Sequence, residues 1–431
     1  MKDSPYEAPQ TADPGERPAN ANRWKIVFMV MGFAAIGHFN RVGITVAGDE
    51  MFIPKLGISE TKMGWVYTAF LIVYATAMLP AGWLIDRIGS GRALSLYGVT
   101  MGTFVVLTGV LGWIVSDPFG LWIGLLLIRG LAGICNAPLH PGAAHVVSDT
   151  MSPSRRATAN GMITAGALVG VACCYPGYGW LMDTLSWQWA FVVGGGALIA
   201  YGIIWRVLVA DSLPHPQEIT KTRPAHSERV SSLFRQRNLW LITLSYAMYS
   251  YFQYLIFYWM GFYFKEVLEV PDVNARWASF WIMIAMGAGM AIGGRSTDFA
   301  CESLGRSRGR RVIVITGMGC GAVFGFVAVN VESFVAVAAC LSASMALTGM
   351  VEGVFWTTAT DIGGRSRGLC GAFMNTGGNA GGLISPVLTP VIAQQLGWQG
   401  AIILACAISG VGSLIWLLIT VPEPGEDQIS A

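Results

Sequence analysis

The stretch Gly82-Trp83-Leu84-Ile85-Asp86-Arg87-Ile88-Gly89-Ser90-Gly91-Arg92 decides how this chain is read. It is a short polar hinge, Gly-x-x-x-Asp-x-x-Gly-x-x-Arg, between two long apolar runs. A degraded echo follows in the second half, Gly293-Gly294-Arg295-Ser296-Thr297-Asp298 leading into Gly305-Arg306, again between apolar runs. Working outward from the two hinges, twelve stretches are long enough to cross a hydrocarbon core of about 30 Å, which takes about 20 helical residues. They lie near 26–47, 63–84, 93–114, 119–147, 157–181, 188–209, 238–263, 277–294, 312–331, 334–356, 369–394 and 398–420. The fold class expected is therefore an all-α integral membrane protein of twelve transmembrane helices.

Composition agrees. Of 431 residues 54% are hydrophobic and only 12% charged, where soluble domains carry about a quarter. The 54 glycines suit membrane helices in close approach. A net charge of +2 gives no reason to expect a nucleic-acid partner. The eight cysteines form no CxxC pair and lie mostly in apolar segments, with Cys173 and Cys174 read as packing residues; no metal and no cofactor are expected. Residues 1–22 are polar and rich in Pro, Ala and Glu, and read as a disordered cytoplasmic tail. A helical bundle spans 23–210, and a linker with Pro214, Pro216 and Pro224 among basic residues spans 211–237. A second bundle spans 238–421, and a short cytoplasmic tail closes the chain at 422–431.

Lys and Arg placement sets the orientation. With both termini in the cytoplasm, the pairs Arg23/Lys25, Arg87/Arg92, Arg155/Arg156 and Arg365/Arg367 and the cluster Arg306/Arg308/Arg310/Arg311 all fall inside. The outer loops keep Lys55, Lys62, Lys265 and Arg276, diluted by acidic residues. The inner membrane of a bacterium is the expected location. Arg41 and Arg129 remain, both inside helices. A guanidinium in a membrane helix is expensive and faces a cavity or a partner. The first six helices offer almost no carboxylate at matching depth, since Asp49 and Asp183 lie near the outer surface and Asp86 at a helix end. Its planar fork suits carboxylate or phosphate, so the pair favours an anionic substrate.

The hinge and its echo resemble the signature loop of the major facilitator superfamily, which implies two pseudo-symmetric six-helix bundles and alternating access. A closer resemblance is to its anion:cation symporter family. Phe39-Asn40-Arg41-Val42-Gly43 looks like that family's first-helix motif. Arg129-Gly-Leu-Ala-Gly133-Ile-Cys-Asn136-Ala137-Pro138, running on to Pro141-Gly142, looks like its fourth-helix motif. Ser154-Arg155-Arg156, Trp187-Gln-Trp189, Phe355-Trp356 and the Asn375/Asn379 segment extend the likeness over nearly the whole membrane region. The family imports sugar acids and related organic anions, often with protons. Three departures stand out: Asn40 and Asn136 where the family has carboxylates that carry the proton, and Ala167 where it often has glutamine. Asparagine cannot titrate, so the resemblance leaves proton symport, sodium symport, uniport and counter-anion exchange all open.

Candidate coupling groups are His38, one turn before Arg41, with Asn40 at the motif position and Glu352, a carboxylate well inside the tenth helix. Glu352 also has a structural reading, as the partner of Arg365 or Arg367. His140 and His145 flank Pro141-Gly142. Candidate substrate contacts are Arg41, Arg129, His38, Tyr74, Asn136, Gln253, Tyr254, Trp356 and Asn375; for each the alternative is packing or an internal hydrogen bond. Asp86, Arg87, Arg92, Arg155 and Asp298 are assigned to conformational gating, with Asp86 expected to pair near Arg155/Arg156 when the cytoplasmic side is shut. The partners expected are a small organic anion, H+, Na+ or a counter-anion, and the bilayer, acting on a monomer. An exporter of drugs or metabolites is the alternative, and Pro176-Gly177-x-Gly179 resembles the remnant of an antiporter motif. A ligand-sensing receptor would need a longer soluble extension, and no nucleophile–base pair or nucleotide loop suggests an enzyme.

Overall fold

A computed structural model describes residues 20–213, 236–363 and 367–420. The expected tails and most of the linker, together with Arg365, lie outside the described residues. The helices are α1 (Asn20–Ala47), α2 (Glu60–Ile88), α3 (Ser90–Ile114) and α4 in two pieces (Pro118–Asn136 and Leu139–Thr150). Then come α5 (Pro153–Thr184), α6 (Trp187–Leu208), α7 (Arg237–Phe262), α8 (Asp272–Leu304) and α9 (Arg306–Ala328). Last are α10 in two pieces (Phe334–Gly349 and Glu352–Gly363), α11 (367–396) and α12 (398–414), the final two divided at Gly397, φ 73°.

Among the described residues nine helical spans are long and apolar enough to cross a membrane, and the bent α2 makes a tenth. The span Cys370–Leu418 contains both α11 and α12, and α7 completes the twelve. α7 is less apolar by hydropathy than the others because it carries five tyrosines, from Tyr246 to Tyr258, and Gln253.

The irregularities repeat between halves, which is the structural form of the sequence echo. Gly89 (φ 85°, ψ 151°) turns α2 into α3, and Gly305 (φ 82°, ψ 157°) turns α8 into α9. Side chains other than hydrogen are excluded from that backbone region. α1 and α7 both end in a π turn, Gly48–Phe52 and Tyr263–Val267. α4 breaks before Pro138, which cannot donate to the helix ladder, and α10 breaks at Met350-Val351. α8 runs to Leu304, ten residues past the span read from the sequence, so the degraded hinge collapses onto Gly305 alone.

In lipid, apolar surface gives no drive for helix association, and small residues that admit close backbones supply it. α3 packs on α6 this way: a Cβ on Gly102 would overlap the Gly195 carbonyl. Ser95 Oγ donates to Gly202 O at 3.1 Å and Trp205 Nε1 to Gly91 O at 2.8 Å.

Contacts between the halves gather at one end. Thr68 Oγ1 donates to Leu383 O (2.9 Å), Tyr175 to Phe257 O (3.2 Å) and Gln394 to Thr61 (3.3 Å), and Tyr67 stacks on Tyr258. At the other end, which carries Gly89 and Gly305, no hydrogen bond or ion pair joins the halves among the described residues. The contacts described between the halves thus lie at the end away from Gly89 and Gly305.

Candidate functional site

Arg41 projects from α1 into the space between the halves. Phe70 and Tyr74, four apart on α2 and so on one face, stack with ring centroids 6.2 Å apart. The Arg41 guanidinium carbon stands 5.0 Å from the Phe70 centroid and 5.3 Å from that of Tyr74. From α4, Arg129 approaches the same Phe70 ring at 4.9 Å, and its Nη2 donates to Arg41 O at 2.7 Å. The phenols of Tyr258, Tyr254 and Tyr74 face the Arg41 charge. Neither arginine forms an ion pair among the described residues. Arg129 is 2% exposed, and its Nε and Nη1 have no partner. Two turns further along α4, at the break, Asn136 is 1% exposed with both amide atoms unpartnered.

His38, three residues before Arg41, shares its face. Its Nδ1 lies 2.9 Å from Ala34 O, and its ring meets His140 edge-on at 5.2 Å. Asn40, the other residue of the first-helix motif, is placed differently from Arg41. Successive helical residues point about 100° apart, so with Arg41 in the central space Asn40 turns toward α5. It is fully buried there, donating to Ile36 O (2.9 Å) and accepting from Tyr178 (3.0 Å). The same spacing separates Gln253 from Tyr254. Tyr254 lies near Arg41, while Gln253 is buried with its amide 3.7 Å from Met286 Sδ.

On the opposite wall, Glu352 opens the second piece of α10. Its Oε1 accepts from Tyr246 (2.8 Å) and Trp356 Nε1 (3.0 Å). Its partners are thus a phenol and an indole, and no ion pair to Glu352 occurs among the described residues. Asn375 and Asn379 pair with each other at 3.0 Å on α11, and Trp356 is 38% exposed.

Asp86 lies 3.9 Å from His145 Nε2, and Arg156 bonds Ser148 O (2.7 Å) and Met151 O (3.2 Å). No Asp86–Arg155 pair forms among the described residues. Arg87 rests on Trp83 at 5.1 Å, and Arg92, Arg155 and Asp298 are exposed.

The end away from Gly89 holds what the sequence reading missed. Arg276, placed there in an outer loop, is 6% exposed in the first turns of α8. Its Nε and Nη2 donate to the two Glu50 carboxylate oxygens (2.7 and 2.6 Å), and its Nη1 and Nη2 to Asp183 (2.5 and 3.0 Å). Glu50 sits in the π turn after α1 and Asp183 near the end of α5, so this clamp ties the halves together. Gly179 makes room for it, since a Cβ there would overlap the guanidinium. The Pro176-Gly177-x-Gly179 bend was the available signal.

Comparison with known proteins fits this geometry. The model described as Major Facilitator Superfamily matches residues 27–369. The chain is 27% identical to the probable galactarate/D-glucarate transporter GudP of Bacillus subtilis, covering 93% of this chain and 92% of that one. It is 24% identical to the probable sulfoacetate transporter SauU of Cupriavidus necator (94% and 97% covered) and to a D-galactonate transporter of Escherichia coli (95% and 96%). Among solved structures, a bacterial homolog of the human lysosomal transporter Spinster, in inward-facing unoccupied and occupied conformations, superposes with a TM-score of 0.75. That likeness covers 93% of this chain and 97% of that one at 15% identity.

Proposed function

Because the chain belongs to the Major Facilitator Superfamily, we propose that this transporter carries a small organic anion, a sugar acid or related carboxylate, by alternating access. The observation that carries the substrate class is the pair Arg41 and Arg129 on one Phe70 ring, with no carboxylate partner and two buried N–H groups unpartnered. A buried guanidinium left without a counter-charge is costly, and a substrate carboxylate relieves it with charge-assisted hydrogen bonds. Asn136 adds an amide at the same helix break. Tyr74, Tyr254, Trp356 and Asn375 offer rings and polar groups for a hydroxylated carbon chain. Sugar-acid transporters among the relatives support the same class.

Arg87, Arg92, Arg155 and Arg156 collect at the Gly89 end, and excess Lys and Arg mark the cytoplasmic side. That end therefore faces the cytoplasm of a bacterial inner membrane, and the halves, in contact at the other end, are open inward. When the cycle closes it, Asp86 leaves His145 for a partner across the cytoplasmic face. Among the described residues, Glu352 offers a carboxylate toward the central space, in place of those the first and fourth helices lack. One chain supplies every group, so a monomer suffices. The test is counterflow in proteoliposomes with labelled galactarate, galactonate and glucuronate beside neutral hexoses. Exchange of the acids alone supports the reading; exchange of neutral sugars at equal rate overturns the substrate class.

A further inference from the structure

The clamp at the end away from Gly89 contains a carboxylate that it does not use. Asp49, next to Glu50 in the π turn after α1, is 4% exposed, and its Oδ1 has no partner. Beside it lies a cavity of about 20 Å³ lined by Asp49, Glu50, Lys265, Asp272, Arg276 and Ser279, room for about one water-sized occupant. Ser279 approaches from the other half of the molecule. It follows Arg276 by three residues on α8, hence on the same face; it is 2% exposed, and its hydroxyl is also unpartnered.

Of the cations nearby, Lys55 acts on Asp183 and donates to Met51 Sδ at 3.3 Å, and the other two are committed to ion pairs. Arg276 is taken up by Glu50 and Asp183, and Lys265 pairs with Asp272 at 3.2 Å. Asp49 accepts a hydrogen bond from the Phe262 backbone N–H, and the charges acting on it are Glu50, Lys265 and Glu266, with the Tyr67 and Tyr175 phenols close by. Five carboxylates (Asp49, Glu50, Asp183, Glu266, Asp272) thus face three cations (Lys55, Lys265, Arg276), leaving a formal excess of two negative charges. A buried carboxylate oxygen and a buried hydroxyl, from opposite halves, converge on a small space in that excess. We propose that Asp49 and Ser279 form a monovalent-cation site, for H+ or Na+, whose occupancy holds the outer end shut.

Occupied, the site neutralises Asp49 and bridges α1 to α8, adding to the Arg276 clamp. Empty, it leaves a buried charge at the seam, which is relieved by parting the outer end and admitting water. A ligand that binds only the closed arrangement shifts the equilibrium toward it, so a cation entering from outside promotes the inward-open state. The site lies apart from the central anion contacts and stands whether or not the cargo is a sugar acid.

Hydrogen exchange on the full-length protein in nanodiscs, with no organic anion added, tests it. Backbone exchange would be followed over 48–56 and 268–280, with Na+ against choline at fixed pH, and across pH in choline alone. The wild type should gain protection of about 5-fold or more in one arm. A response to Na+ at fixed pH identifies sodium, and a response to acid in choline identifies the proton. Asp49→Asn should be protected throughout and respond to neither, and Ser279→Ala should need a higher cation concentration. If the wild type responds in neither arm, the site does not exist. If Asp49→Asn keeps the wild-type response, or does not fold while Ser279→Ala responds as the wild type does, the assignment is overturned.

Discussion

Replacing Arg129 by methionine separates an anion-binding arginine from a structural brace. The side chain makes one protein hydrogen bond, Nη2 to Arg41 O at 2.7 Å, worth about 1.5–3 kcal/mol with a charged donor. Against it stand Nε and Nη1, buried without partners, at about 1–3 kcal/mol each. Methionine has similar length and no polar hydrogen, so it removes both terms and the buried charge. The unliganded Arg129→Met protein should be as stable as the wild type or about 1–3 kcal/mol more stable. Its affinity for a sugar acid should fall by about 30-fold, the equivalent of about 2 kcal/mol. Denaturant unfolding in detergent, with and without a sugar-acid panel, reads both quantities. A loss above about 2 kcal/mol without ligand would show that the hydrogen bond to α1 outweighs the unpaired groups. Undiminished stabilisation by the anion would show that Arg129 never meets it.

Gly89→Ala and Gly305→Ala should each destabilise by about 1–3 kcal/mol, because their backbone region is closed to a Cβ. Gly82→Ala, in a helix with open space around it, should gain about 0.4–1 kcal/mol; equal behaviour of the three in thermal unfolding would refute the repeat of the two turns. Asn40→Ala should leave the Tyr178 hydroxyl buried and unpaired and cost about 1–3 kcal/mol with anion affinity unchanged; a loss of affinity at intact stability would return Asn40 to the binding site. Glu352→Gln keeps an acceptor for Tyr246 and Trp356 but cannot titrate. Counterflow should persist within a few-fold while the pH dependence of uptake flattens, and a wild-type pH profile would remove Glu352 from coupling.

Much of this was legible because membrane sequences are constrained locally. The apolar runs marked all twelve helices by length and composition, and Gly89 and Gly305 marked the two tight returns. Arg41 stood out because a charge in an apolar helix needs a reason, and in the structure Tyr74 and Tyr254 lie near it. What sequence alone left open depended on which way a residue points. Asn40 and Gln253 each adjoin a residue that faces the central space and so are turned away from it by the helix itself. Arg276 was missed for a different reason. Its partners Glu50 and Asp183 are 226 and 93 residues away, and no local pattern links a cation to acids brought together only by packing. The gating pair depended on conformation: here Asp86 finds His145, and sequence carries no preference for one state of the cycle.

The most direct test of the central claim is ligand-induced thermal stabilisation of the purified wild-type and Arg41→Ala proteins. The panel is sugar acids, dicarboxylates, neutral sugars and lipophilic cations. A ligand present at about 100 times its dissociation constant should add about 2.7 kcal/mol. The account predicts that carboxylates alone stabilise the wild type and that Arg41→Ala loses the effect. Stabilisation by neutral sugars or cations, equal in both proteins, would contradict it.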